Sequence, residues 1–241
     1  RFGINSVISI IQDNLVEKMR SYYYPQIGEE YQEISPNETD ARARRITDYL
    51  NLVNRIIKQQ MAKLKNSAFE PDAEITKYFE MLPGGSELKD IYLKMLELTD
   101  PDDKRQLQNW LREQIKPGSI DVNIMTKVDK SNTDKQGAVI EDGSDAVAAL
   151  RGYANSTLTN SSIVLSAGMN PRLFAYMEKR VEFDADSYGE FEKKIVIKVS
   201  DYRSAYIQGK MLAKRGLWVS EFRIESGLNC GGHAFATDGF L

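Results

Sequence analysis

The chain has 241 residues, 41% hydrophobic and 28% charged, which is the composition of a globular protein with one large core or two small ones. A formal net charge of -3 provides no basic face for gripping nucleic acid, and no apolar run reaches the roughly 18 residues that cross a bilayer. A single Cys and a single His exclude an internal disulfide and leave a zinc site short of ligands, so a reducing, cytoplasmic setting is the default expectation.

The chain opens at Arg1 and stops at Asp238-Gly239-Phe240-Leu241, two apolar residues into what reads as a new element, so a piece of a longer protein is expected. Residues 5–116 read as helices. Val7, Ile8, Ile10, Ile11, Leu15, Val16 and Met19 fall mostly at helical spacing, and Tyr24-Pro25 ends that run because the residue before Pro is pushed out of the α region. Asn37 or Thr39 is a candidate cap for a long helix over 40–64, whose Ile46, Leu50, Val53, Ile57, Met61 and Leu64 keep one face. Pro83-Gly84-Gly85 makes a turn and Ser86 caps a helix over 87–98; Asp100-Pro101 opens another through Trp110 and Leu111. The Arg, Lys and Glu runs here read as solvated helix faces. Residues 1–116 are therefore expected to be a helical cap or insertion that packs against the rest of the chain or a second subunit, with a homodimer as one outcome.

From Pro117 the grammar changes, and residues 117–241 read as alternating strands and helices. Strands are expected over 120–128, 162–166, 194–199 and 218–224. Helices are expected over 145–154 (capped by Ser144), 172–179 and 202–215. Such alternation predicts an α/β protein with parallel strands; four units make about half of a (β/α)8 barrel, and an open doubly wound sheet is the competitor. No G-x-G-x-x-G or Walker loop follows any strand, which weakens a dinucleotide fold.

In either architecture the ligand lies at the carboxyl ends of the strands. Those ends offer Asn123; Ala167-Gly168 before Met169-Asn170-Pro171; Lys198; and the run Gly227-Leu228-Asn229-Cys230-Gly231-Gly232-His233. The glycines let backbone N–H groups approach a phosphate or a planar ring, and His233 is the side chain whose charge changes near neutral pH. Together they supply small residues, an amide, a cation and an acid–base group around one point, the inventory for an anionic planar cofactor and proton transfer. Cys230 invites a nucleophile reading, but adjacent residues of an extended loop project to different sides, so a thiolate partnership with His233 is not expected.

This succession resembles the nitronate monooxygenase family and its enoyl-reductase relatives, FMN-dependent (β/α)8 barrels. The residues that carry the resemblance are Asp121-Val122-Asn123-Ile124, Ala167-Gly168-Met169-Asn170-Pro171, Ile195-Val196-Ile197-Lys198-Val199 and Gly227 through His233. It covers residues 118–235; Asn229 stands where the family usually has Glu. The resemblance implies a partial TIM barrel and FMN as cofactor. It further implies His233 as catalytic base beside the flavin, with Asn123, Ala167, Gly168, Lys198, Gly231 and Gly232 around the cofactor. A small acidic carbon compound would be the substrate, with no nucleic acid and no membrane as partner. Two alternatives stay open: an FMN-dependent enoyl-thioester reductase, and a non-catalytic helical interaction module.

Overall fold

The computed structural model describes residues 5–126, 129–133, 136–166 and 168–225. Two compact units share the chain: one formed by Val53–Ser119 with the first residues, the other by Ser6–Leu52 together with the chain from Ile120 onward. They do not coincide with the expected segments 1–116 and 117–241, because Ser6–Leu52 belong with the sheet.

The helical unit contains the second half of α2 (Ala41–Asn66), α3 (Glu74–Glu80), α4 (Glu87–Glu97) and α5 (Pro101–Gln114). Its core is Met61, Leu64, Ile75, Phe79, Tyr92, Met95 and Leu111, with the Phe79 and Tyr92 rings stacked at 5.5 Å. Asp100 caps α5, accepting from Asp102 N (2.9 Å) and Asp103 N (3.0 Å) as Asp before a Pro-led first turn should. Ser86 stands at the start of α4, but its hydroxyl makes no capping bond.

The second unit begins with a correction. Residues 7–11 are expected to be helical, yet β1 (Ser6–Ser9) is a strand that pairs in parallel with β2 (Ile120–Ile124), and α1 starts only at Asp13 (Asp13–Tyr23). The β-branched Val7, Ile8, Ile10 and Ile11 suit a pleated strand better than a helix, and the pairing decides between the two periods. A second difference concerns charge. Arg20 and Arg45, expected on solvated faces, are 2% and 3% exposed. Arg20 donates to Asp48 (2.7 Å), Glu17 (2.6 Å) and Gln32 O (3.0 Å); Arg45 donates to Asp13 (2.6 Å) and Ile34 O (2.8 Å). Burial opposes the Glu17 charge, but bonds from Tyr31, Arg20 and the Ile34 N–H hold its carboxyl below the usual range. Burial, and then Glu17, push the Tyr31 phenol up to about 12.

β2 is followed by a hairpin that sequence reading missed, β3 (Ser131–Thr133) and β4 (Val139–Ser144). Then come α6 (Asp145–Ala154), β5 (Ser161–Leu165), α7 (Pro171–Met177), β6 (Lys193–Val199), α8 (Tyr202–Ala213) and β7 (Val219–Ile224). Ser144 and Asn170 cap α6 and α7 through Val147 N (3.4 Å) and Leu173 N (3.1 Å). The five-stranded sheet has the order β1-β2-β5-β6-β7, every pair parallel. Leaving the hairpin aside, each strand lies beside its predecessor and the order never reverses. A doubly wound sheet requires such a reversal, so that competitor is excluded for the described strands. α6 packs on β2, and α8 packs on β6 and β7. No closed barrel is formed among the described residues.

Register and alternation separate the faces. Val122, Ile163 and Ile195 stand side by side, as do Ile124, Leu165 and Ile197; these six residues are at most 2% exposed and face the helices. The intervening residues form the other face: Asp121, Asn123, Ser162, Val164, Lys194, Val196, Lys198, Glu221 and Arg223. On that face Arg223 of β7 reaches Asp121 of β2 at 3.0 Å. The two strands are three sheet steps apart, roughly 14 Å if the sheet were flat. The contact therefore requires a strongly curved sheet with the polar face on its inside.

Candidate ligand site on the polar face of the sheet

Three polar side chains stand near the carboxyl ends of strands on this face, two of them in contact. Lys198 is the penultimate residue of β6, Asn123 the penultimate residue of β2, and Glu225 follows β7, its N–H still bonded to Val199 O at 2.9 Å. Lys198 Nζ lies 3.0 Å from Glu225 Oε1, with the two side chains 20% and 19% exposed. Lys198 thus sits near a strand end, and the anionic group it faces is a residue of the chain itself. Among the described residues, Glu225 Oε2 and Asn123 Oδ1 are both buried with no hydrogen-bond partner. Two such acceptors, one of them on the carboxylate that holds the Lys198 ammonium, leave this edge short of N–H or O–H groups, since an unmet buried acceptor costs about 1–3 kcal/mol.

Beside Lys198 the edge is braced by its register neighbour Arg223. Arg223 donates to Asp121 (3.0 Å) and to Glu221 (2.8 Å). These bonds, that to Glu221 first, hold the guanidinium charge more firmly than usual. The neighbouring loops are tied down as well. Thr126 N donates to Ser166 Oγ at 2.9 Å and Thr126 Oγ1 to Ser166 O at 2.7 Å, joining the ends of β2 and β5. Asn170 caps α7 and donates to Asp129 (3.0 Å), so both ends of its amide are used internally. Gly168 takes φ 126°, a conformation that side chains rarely adopt, and this explains a glycine in the turn after β5. Its predicted neighbour Ala167 lies outside the described residues, and so do Cys230, Gly231, Gly232 and His233. Of the predicted site residues the structure thus brings Asn123 and Lys198 to one edge.

Sequence reading missed Glu225 and the Asp121–Arg223 pair. A signal was present: Glu221-Phe222-Arg223-Ile224-Glu225 alternates charge with apolar residues, the pattern of a strand with one polar face. It also missed Lys193, five residues before Lys198 and on the opposite face. Lys193 is 2% exposed and donates to Tyr153 O (2.8 Å), Ser156 O (2.6 Å) and Ser156 Oγ (3.3 Å) at the end of α6. Burial without a bonded carboxylate pushes its ammonium down to about 8. That lysine secures a helix terminus.

A separate cleft of about 800 Å³ lies between the 36–42 segment, the β3–β4 hairpin and α6. Its cations are engaged: Arg42 with Ile10 O, Ile11 O and Asp145 O, and Arg151 with both oxygens of Asp40. Among the described residues no group of His, Cys, Asp and Glu could hold a metal ion, and no helix is long and apolar enough to cross a membrane. The fold and site thus describe a parallel β/α protein with a polar, donor-poor site on the inner face of its sheet. Comparison with protein-family models, with curated proteins and with solved structures finds no match.

Proposed function

We propose that the chain is part of a (β/α)8 barrel and serves an FMN-dependent oxidoreductase of the nitronate monooxygenase type, working in the cytoplasm on a small acidic carbon compound. The observation that carries this reading is the carboxyl edge of the polar face: Lys198 is paired to Glu225, whose Oε2 is, like Asn123 Oδ1, a buried acceptor without a partner among the described residues. The unreversed strand order and the curvature of the parallel sheet support this reading, since in a barrel such an edge would line the interior.

The residues fit the edge of a flavin ring, whose one N–H, at N3, can serve one of the two acceptors and whose flanking carbonyl oxygens can accept from the Lys198 ammonium. They fit a phosphate poorly, because Lys198 is already neutralised by Glu225. When bound, FMN would supply the two-electron chemistry that no side chain here can. Lys198 would donate to a ring carbonyl oxygen, and Asn123 would fix the ring's orientation. His233 would take the proton from the substrate carbon at an imidazole nitrogen.

The test is FMN binding by the purified chain, followed by turnover with a nitroalkane anion. His233→Ala is expected to cut turnover by about 10²–10⁴-fold while bound flavin is retained. Failure of the chain to bind FMN, or near-normal turnover in that variant, would contradict the reading. Flavin reduction by a nicotinamide donor would instead favour the enoyl-thioester reductase alternative.

A further inference from the structure

We propose that Glu225 is the specificity-determining residue of this edge: by occupying Lys198 it shuts out free anions and reserves the site for an uncharged molecule that brings hydrogen-bond donors. Only the identity of that molecule as a flavin ring rests on the function proposed above.

Charge balance is the first support. The polar face carries Lys194, Lys198 and Arg223 against Asp121, Glu221 and Glu225. Arg223 is held between Glu221 and Asp121, and Lys194 is exposed at the amino-terminal end of β6. Arg223 stands beside Lys198 in register at the carboxyl edge but is held by Glu221 and Asp121, and Lys198 has Glu225 3.0 Å away, so both cations of this edge are paired within the chain. An approaching anion meets an ammonium already neutralised and a carboxylate that repels it.

Unmet acceptors are the second support. Glu225 Oε2 and Asn123 Oδ1 are both buried and both lack donors among the described residues, so a ligand that adds N–H or O–H groups removes a standing cost. An anion without donors leaves both oxygens as they were. One carboxylate therefore does two things: Oε1 holds the cation, and Oε2 asks for a donor. A lysine alone at this edge would make an anion site. A lysine with this glutamate makes a site for a polar neutral ring.

The test uses the whole chain as wild type, Glu225→Gln, and the double variant Glu225→Gln/Lys198→Gln, with inorganic phosphate as probe in a calorimetric titration. Wild type is expected to show no saturable phosphate binding at this edge. Glu225→Gln should gain it in the millimolar range, and the double variant should lose it again. Glu225→Ala is carried in parallel with the same expectation, and circular dichroism checks that each variant is folded. Phosphate binding that is equal in wild type and Glu225→Gln, or absent from both, overturns the proposal; so does a gain that survives removal of Lys198. Lumiflavin, the ring without a phosphate, is titrated into the same wild-type sample. Its failure to bind refutes the flavin reading, while the phosphate series still decides the role of Glu225.

Discussion

Lys193 and Lys198 lie on one strand, five residues apart, and do opposite work because the pleat turns them to opposite faces. Lys193 faces the helices, where three oxygens from the end of α6 receive its ammonium. Lys198 faces the inside of the curved sheet, where its partner is a glutamate with one oxygen still unmet. The Lys193 ammonium is fully bonded and lies 4.8 Å from the centre of the Tyr153 ring; the carboxylate that pairs with Lys198 keeps one buried oxygen without a donor among the described residues. The same backbone thus carries a lysine that ties the sheet to a helix and a lysine whose partner is left incompletely bonded.

The comparison can be broken most forcefully on the helix-facing side. Ile197 is 0% exposed between Leu165 and Phe222, so Ile197→Ala should cost about 2–5 kcal/mol of unfolding free energy in urea. A loss under about 1 kcal/mol would mean that this face is not the tightly packed one. Lys193 gives the next largest effect through pH. Its folded value of about 8 lies below the ordinary 10.5, so the unfolded chain binds more protons between those limits and stability rises with pH across that window. The difference between wild type and Lys193→Met should therefore shift in favour of wild type by up to about 3 kcal/mol from pH 8 to 10.5. A flat difference would show that Lys193 is not held in a desolvated site.

On the polar side the effects on folding should be smaller. Asp121 and Arg223 brace β2 against β7 with partial solvent access, so a double-mutant cycle on Asp121→Asn and Arg223→Met should give a coupling of about 1 kcal/mol. No coupling would remove the brace and weaken the case for curvature. Lys198→Met should change stability by no more than about 0.5–1 kcal/mol, since its ion pair is about one-fifth exposed. A larger loss would make Lys198 a folding residue like Lys193.

Much of the architecture was legible because periodicity is local. α2, α5, α6, β5, β6 and α8 lie close to where their apolar spacing and caps Asp100 and Ser144 predict them. β1 was not legible: Val7-Ile8-Ser9-Ile10-Ile11 satisfies helical spacing as well as a strand, and only pairing with residues more than a hundred positions away decides. α3, at seven residues, is too short to show a period, and the β3–β4 hairpin has little apolar alternation. Asn123 and Lys198 were readable as site residues because strand ends are where ligands lie. Their relation to Glu225, and that of Asp121 to Arg223, was not, because side chains several strands apart meet only through curvature, which no local pattern encodes.

The most direct measurement is a fluorescence titration of lumiflavin against wild type, Lys198→Met and Asn123→Ala, with thermal unfolding recorded on the same samples. The expected result is saturable quenching by wild type, an affinity at least about tenfold weaker in each variant, and melting temperatures within a few degrees of one another. Equal affinities in all three proteins, or no quenching by any of them, would contradict a ligand site built from Asn123, Lys198 and Glu225.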